Sequence, residues 1–281
     1  MKKINEPNNA YHSSPAINRS RLSRISVSPQ WFKYCEENPP EKSTDLIFGS
    51  AFHKLVLEPE TFSNEFLIAD VNRRTNAGKQ FIVDTKAQGK DVISTEEWAN
   101  LCAMRDSVLS NPYAVKLLDG ERETSFYWTD EITGLECKCR PDVVKVKNDC
   151  LFITDLKSCS STTDHKGAES LTFMHDAIKY GYDLETGMYA EGTGLYYDIP
   201  IEKIFFVFLA VEKKPPYMLN ILTADSFFKE QGRQKFREYL GILAECKATG
   251  NYYGYLGFSG KPNDLSLPPH LLKKLNEEAN S

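Results

Sequence analysis

Residues 135–157 read LECKCRPDVVKVKNDCLFITDLK, and the predicted fold is built outward from this stretch. Leu135–Arg140 alternates apolar and charged side chains, which is typical of a half-buried strand. Val143–Val146 continues the strand pattern, Lys147–Asp149 has the composition of a turn, and Cys150–Lys157 returns as a further strand. We therefore predict a strand meander at the centre of the protein.

The segments around this meander carry both helical and strand patterns. Asp45 is a candidate N-cap, Ser94–Glu97 is a capping box that opens a helix, and Asn111-Pro112 ends that helix. Helices are predicted at 19–25, 29–37, 46–57, 95–109, 167–180, 183–197 and 224–247, and further strands at 124–129, 204–211 and 218–222. This order predicts an α/β fold with a mixed central β-sheet flanked by helices.

No internal repeat or low-complexity linker divides the chain, so a single domain is expected. We expect residues 1–15 to form a loosely ordered N-terminal arm, 16–260 to form the domain and 261–281 to form a C-terminal tail. The longest apolar run, Ile204–Val211, is far shorter than the ~20 residues that a membrane helix needs. The N-terminus also lacks a secretory apolar segment, so the sequence predicts a cytoplasmic protein without membrane contact.

The composition is that of a globular protein with unevenly placed charge. Hydrophobic residues make up 41% and charged residues 26%, which excludes a fibrous or wholly disordered chain. The net charge is −5, but residues 1–35 contain six basic residues and one acid, so this arm can bind a polyanion locally. The seven cysteines are scattered without a Cys-x-x-Cys pair, which indicates reduced thiols.

Two carboxylates and one lysine are predicted to meet at one end of the sheet. Asp155 and Lys157 share a strand face, and Asp142 precedes the neighbouring strand. Carboxylates hold Mg²⁺, the ion polarises a phosphate and lowers the pKa of a bound water, and the lysine orients or deprotonates that water or offsets charge. This is the minimum for metal-assisted phosphodiester hydrolysis. A surface ion pair on an edge strand is the alternative.

Further motifs complete a resemblance to a known family. Gly49–His53 places a histidine one helical turn after a glycine, and Glu185 and Tyr189 share a helix face. In order with Pro141-Asp142 and Asp155-Leu156-Lys157, these motifs resemble the RecB-like branch of the PD-(D/E)xK nucleases. The narrower resemblance is to the RecE (exonuclease VIII)-like exonucleases of phages and prophages, over the stretches YHSSPAINRSRLSRI, FGSAFHKLVLEPETFSNEFLIA, NRRTNAGKQF, CKCRPDVV and ITDLKS.

The resemblance implies a restriction-endonuclease-like core and Mg²⁺-dependent 5′→3′ digestion of linear double-stranded DNA, which leaves 3′ overhangs for recombination. Mn²⁺ is expected to substitute. The metal ligands implied by position are His53, Asp142, Asp155 and the backbone carbonyl of Leu156, and Lys157 is the implied catalytic lysine. An iron–sulfur cluster is not expected, because a relative that has one needs three late cysteines and only Cys246 lies in the C-terminal quarter.

The last motif departs from the family pattern, because Glu185 stands where the usual residue is glutamine. A carboxylate there adds a metal ligand or accepts a hydrogen bond from the water, but it repels a phosphate unless the metal or Lys157 offsets it. Glu123 is a further acid nearby, and it is either a surface carboxylate or part of the site. The candidate DNA contacts are Tyr189, Arg73, Arg74 and Lys79. For residues 73–79 the alternative is a solvated loop without contact to DNA.

Three functions remain open: an exonuclease, a structure-selective endonuclease on the same scaffold, and a DNA-binding recombination scaffold whose nuclease site has decayed. The intact Asp142, Asp155, Lys157 and His53 argue against decay. The resemblance also implies a homo-oligomeric ring around the duplex. It further implies a single-strand annealing partner of the RecT kind, in the bacterial host cytoplasm if the protein is phage-encoded.

Overall fold

The helices and strands are described in a computed structural model, which covers residues 1–159, 168–262, 265–269, 271–273 and 277. In these ranges the α-helices are α1 (Asn8–Ser13), α2 (Arg19–Leu22), α3 (Pro29–Glu37), α4 (Thr44–Leu57), α5 (Phe62–Glu65), α6 (Asn76–Ala87), α7 (Thr95–Leu109), α8 (Pro112–Leu117), α9 (Ser170–Lys179), α10 (Tyr182–Tyr197) and α11 (Ser226–Thr249). The strands are β1 (Lys2–Ile4), β2 (Phe66–Ile68), β3 (Asp91–Ile93), β4 (Glu121–Arg122), β5 (Ser125–Thr129), β6 (Glu136–Cys139), β7 (Val143–Lys147), β8 (Cys150–Cys159), β9 (Ile204–Glu212) and β10 (Leu219–Thr223).

A mixed five-stranded sheet lies at the centre, in the order β10-β9-β8-β7-β4. Strands β8 and β9 are parallel, whereas β7 pairs with β8 and β10 pairs with β9 in the antiparallel sense. The central register pairs Val143 with Thr154 on one side of β8 and Leu156 with Leu209 on the other. The predicted α/β fold with a mixed sheet flanked by helices is therefore confirmed.

Helices cover both faces of this sheet. On one face, α10 and α11 pack through residues such as Met188 and Phe236 against Phe206. On the other face, α4 and α7 pack through residues such as Phe52 and Met104. Successive strand residues point to opposite faces, so the continuous apolar run of β9 supplies both layers.

Helices α10 and α11 cross at a contact between two glycines. A Cβ atom on Gly232 would lie 1.7 Å from the backbone oxygen of Asp183, and one on Gly187 would lie 2.2 Å from the backbone nitrogen of Arg233. Only glycine permits backbones to approach this closely. This crossing fixes the position of α10, the helix that carries Glu185 and Tyr189.

The N-terminal residues differ from the loosely ordered arm that the sequence predicts. Strand β1 pairs antiparallel with β5 in a second sheet of order β1-β5-β6. The buried Lys138 ammonium donates hydrogen bonds to the backbone oxygens of Tyr11 and Ser14, and Arg140 Nη2 donates to the Glu6 oxygen at 3.1 Å. Cations on β6 and just after it thus hold residues 6–14. The prediction of a loosely ordered arm used only the polarity of these residues. It was wrong because their partners in the fold are distant in sequence.

Several local predictions can be compared with the structure. The Ser94 capping box is confirmed, with both of its hydrogen bonds present. Ser43, not Asp45, caps α4, because the Ser43 hydroxyl accepts the Leu46 N–H at 3.2 Å. Helix α7 ends at Leu109 with Ser110 as its C-cap, and Asn111 caps α8, a helix that the sequence did not predict. Residue 167, predicted as helical, and residues 263–264, 270, 274–276 and 278–281 of the predicted tail lie outside the described residues. None of the described helices combines the length and the hydropathy needed to cross a bilayer.

Candidate active site

Asp142 lies where β7 begins and is held from two sides. Its Oδ2 accepts the backbone N–H of Leu156 at 2.6 Å, and its Oδ1 lies 3.2 Å from His53 Nδ1. The Val143–Thr154 register explains the first contact, because Asp142 directly precedes Val143, the first residue of β7, and therefore lies beside the continuation of β8 after Thr154. The N–H and C=O of one strand residue point to the same side, so the Leu156 carbonyl also faces this end of β7.

His53 reaches the site from α4, which packs against β8. A Cβ atom on Gly49 would lie 3.7 Å from Ser158 Oγ, which is an ordinary contact, so this glycine is not sterically required. Burial lowers the pKa of His53, but the charge and the hydrogen bond of Asp142 outweigh burial and leave the pKa above its usual value. The structure therefore brings His53 and Asp142 together, as the sequence predicts.

Glu123 joins these two residues from the loop between β4 and β5. Its φ of 48° places it in the left-handed region, and its N–H donates to the backbone oxygen of Asp142 at 3.1 Å. Non-glycine residues in this conformation are uncommon and cluster at functional sites. Burial, followed by the charge of Asp142, raises the pKa of Glu123 to about 7. The sequence could not decide whether Glu123 belongs to the site, because residue type does not predict its left-handed backbone conformation.

The three side chains fit a divalent cation. Ligand atoms of His53, Glu123 and Asp142 all lie within 4.8 Å of one another. Two carboxylates and an imidazole form a donor set that suits Mn²⁺ and, through the carboxylates, Mg²⁺. Asp155 Oδ2 is buried nearby and has no hydrogen-bond partner among the described residues, although Lys157 Nζ lies 2.5 Å away as an ion-pair contact. The structure thus places Asp155 with Lys157 and outside the three-residue group.

Lys157 is held on the same face of β8 as Asp155. Its Nζ is 3.0 Å from Glu185 Oε1 and lies 4.6 Å from the centre of the Tyr182 ring. Burial lowers the pKa of Lys157, but Asp155 and Glu185 outweigh burial and raise it well above its usual value. The side chain is therefore a positively charged ammonium. Tyr182, the first residue of α10, was not identified from the sequence.

Glu185 projects from α10 and contacts two cations. Its second oxygen lies 2.9 Å from Arg19 Nη2. Burial raises the pKa of Glu185, but Lys157 and Arg19 outweigh it and lower the pKa to about 2. The pKa of Asp155 is raised, first by burial and then by Glu185. Arg19 is therefore a site residue that the sequence motifs did not reveal.

The lining of one open cleft of about 930 Å³ includes His53, Glu123, Asp142, Lys157 and Tyr182. Asp155 and Glu185 are buried and are not among its lining residues. The cleft lining also includes residues from the segment 5–20, such as Tyr11 and Arg19, and from α4. Tyr189 and Lys213 also line the cleft. Tyr189 lies one helical turn after Glu185, so the predicted motif is brought to the site as a unit.

The candidate DNA loop at residues 73–79 does not line this cleft. Thr75 caps α6 by accepting the Gly78 N–H at 3.0 Å, and a Cβ on Gly78 would lie 2.0 Å from the Asn72 oxygen. Arg73 donates to the backbone oxygen of Val92 at 3.1 Å and lies 3.5 Å from Glu97. Arg74 and Lys79 are exposed.

The sheet order and the placement of Asp142, Asp155 and Lys157 define a PD-(D/E)xK-type nuclease fold. The chain belongs to the family described as "PDDEXK-like domain of unknown function (DUF3799)", whose sequence model matches residues 30–255. A crystal structure of a protein from Eubacterium rectale, described as "Putative exonuclease", is similar to this chain in fold, with a TM-score of 0.63 and 14% identity over 96% of this chain and 98% of that one. A search of the curated proteins finds no match.

Proposed function

We propose that this chain is a divalent-metal-dependent exodeoxyribonuclease that digests linear double-stranded DNA 5′→3′ and leaves 3′ overhangs for recombination. The proposal is carried by one observation, the group of His53, Glu123 and Asp142 beside Asp155 and Lys157. A bound divalent cation supplies the charge that polarises a phosphodiester and acidifies a water molecule. The proposed ion is Mg²⁺, and Mn²⁺ substitutes for it.

The candidate metal ligands and Lys157 have different proposed roles. His53, Asp142, Asp155 and the Leu156 carbonyl hold the metal, and the geometry adds Glu123 to this set. Lys157 donates hydrogen bonds to a phosphate oxygen and offsets its developing negative charge. The raised pKa of Lys157 supports this role over deprotonation of the water.

The DNA itself is proposed to contact two regions. Tyr189 is proposed to contact the strand that enters the cleft, and its position in the cleft lining supports this. Arg74 and Lys79 are exposed cations that contact phosphates farther along the duplex, and Arg73 contributes less because it already binds Val92 and Glu97. Phosphate contacts of this kind hold DNA without reading its sequence.

The test compares linear and covalently closed circular duplex DNA in the presence of Mg²⁺. An exonuclease releases acid-soluble nucleotides from the linear DNA only, and 5′-end and 3′-end labels report its polarity. A structure-selective endonuclease cuts the circle at junctions or loops, and a scaffold binds DNA without releasing nucleotides. Asp155→Ala is the matched control, and full activity in this variant would remove Asp155 from the site.

The wider setting is also proposed from the family resemblance. A homo-oligomeric ring would explain how a protein of net charge −5 remains on DNA, with basic segments lining the channel. Light scattering that gives a monomer at micromolar concentration would contradict the ring. We propose one nuclease domain that comprises β1 and α1 together with residues 16–260. The proposed partner is a RecT-like annealing protein, and the proposed location is the cytoplasm.

A further inference from the structure

Four charged side chains form a continuous row beside the candidate metal group. Asp155, Lys157, Glu185 and Arg19 alternate in sign, and consecutive members lie 2.5, 3.0 and 2.9 Å apart. Their side chains are between 3% and 18% exposed. The formal charge of the row is zero, so its balance depends on Arg19 at one end.

Arg19 is held in place by several contacts. Its Nη2 also donates to the backbone oxygen of Tyr180 at 2.9 Å, and the guanidinium lies 5.7 Å from the Tyr182 ring centre. Its Nε is buried and has no hydrogen-bond partner among the described residues. A buried, unpaired donor costs folding free energy, and a buried ion pair is weak evidence for stability. The arginine is therefore better explained by what it does to the site than by what it adds to the fold.

We propose that Arg19 is the counter-ion of Glu185 and, through Glu185, a positioning residue for Lys157. This inference rests on the proposed nuclease function. Without Arg19, the row has an uncompensated negative charge. The Lys157 ammonium, which contacts both carboxylates, is then the one cation left in the row, and the negative potential opposes entry of a phosphodiester. The row is neutral when Arg19 and Glu185 are both present. It would also be neutral with an uncharged residue at position 185 and no arginine at position 19.

The proposal predicts a specific non-additivity between positions 19 and 185. We would compare Arg19→Met, Glu185→Gln and the double variant with the unchanged protein, using kcat and KM on linear duplex DNA. Arg19→Met should raise KM and lower kcat/KM by about 30-fold, as expected for one unbalanced charge on the order of 8 Å from a phosphate at an effective dielectric constant of 20. Glu185→Gln should lower KM. The double variant should return KM to within about threefold of the unchanged protein, because contacting charges couple.

A second readout does not depend on hydrolysis. Fluorescence anisotropy in EDTA should show the same order, with DNA affinity weakened by Arg19→Met and restored in the double variant. The matched control is the set Lys145→Met, Asp119→Asn and the double variant, because these side chains pair at 2.6 Å and do not line the cleft. Those variants should leave KM and DNA affinity unchanged.

The outcomes separate this inference from the proposed function. An unchanged KM in Arg19→Met, or a double variant no better than Arg19→Met, would overturn the role of Arg19. If Arg19→Met unfolds, the double variant tests the inference instead, because it has no unpaired carboxylate and should fold and cleave DNA. A double variant that folds but does not cleave would contradict the inference. If the unchanged protein releases no nucleotides with Mg²⁺ or Mn²⁺, the nuclease proposal fails, and the anisotropy series still decides whether Arg19 and Glu185 are coupled.

Discussion

Replacing Asp142 with alanine or with asparagine removes the same negative charge but different hydrogen bonds. The asparagine amide oxygen can still accept the Leu156 N–H that Asp142 Oδ2 accepts at 2.6 Å, whereas alanine leaves this buried donor without a partner. The unpaired donor costs about 1–3 kcal/mol. For a protein of this size, each kcal/mol lowers Tm by about 2–4 °C, so Asp142→Ala should unfold roughly 2–12 °C below Asp142→Asn. Because both variants are uncharged at this position, the difference isolates the hydrogen bond.

Hydrolysis should respond differently from stability. Both variants should lose cleavage of linear duplex DNA, because each lacks the carboxylate that lies between His53 and Leu156. In the unchanged protein, Mn²⁺ at 100 times its Kd should stabilise the fold by about 2.7 kcal/mol, which is roughly 5–11 °C in Tm. Neither variant should show this shift.

The assays are thermal unfolding in EDTA and in Mn²⁺, together with release of nucleotides from linear duplex DNA. Equal Tm values for the two variants in EDTA would show that the bond to Leu156 does not support the fold. An asparagine variant that cleaves DNA at the normal rate would remove Asp142 from the metal site.

Four further predictions follow from other parts of the molecule. Because His53 contributes an imidazole, Mn²⁺ should reach half-maximal rate at a concentration roughly tenfold below Mg²⁺, and Ca²⁺ should bind without turnover; rate curves against each ion test this. Arg74→Ala and Lys79→Ala should each reduce the log–log salt slope of DNA binding by about one, and an unchanged slope would place the loop off the DNA. Tyr182→Leu should lower kcat more than Tyr182→Phe, because the ring faces the Lys157 ammonium at 4.6 Å; equal losses would contradict a role for the ring. Burial raises the pKa of Asp130, but hydrogen bonds from Thr133 and contact with Arg237 outweigh burial and leave the pKa lowered. Asp130 therefore stabilises the fold above the pKa of the unfolded state, and this contribution is lost as pH falls. Asp130→Asn should make the free energy of unfolding, measured with urea, depend less on pH on the acid side.

The central sheet could be predicted from the sequence because its information is local. The strand patterns of residues 143–146 and 150–157 and the apolar run of residues 204–211 predict three strands of this sheet. The alternation of residues 135–140 predicts β6, but β6 pairs with β5 in the second sheet and its Lys138 is buried. Asp155 and Lys157 fall on one face, as predicted, since a period of two requires no knowledge of distant contacts. The capping box at Ser94 is local in the same sense.

The missed features depend on contacts between distant residues or on backbone conformation. Arg19 meets Glu185 only because α2 lies beside α10 in the folded chain. Glu123 faces Asp142 because its backbone adopts a positive φ, which residue type does not predict for glutamate. Strands β2 and β3 contain three residues each, too short for an alternating pattern to be recognised.

The ties between residues 6–14 and β6 affect how this protein can be dissected. The sequence shared with its family begins at residue 30, yet β1, the Lys138 contacts and Arg19 all lie before that point. A gene fragment that encodes residues 30–255 alone would lack the lining residues of the cleft between 5 and 20, and it would expose an edge of β5 to pairing with other chains. The segment matched by the family model, residues 30–255, is therefore shorter than the segment that must be expressed to obtain an intact cleft.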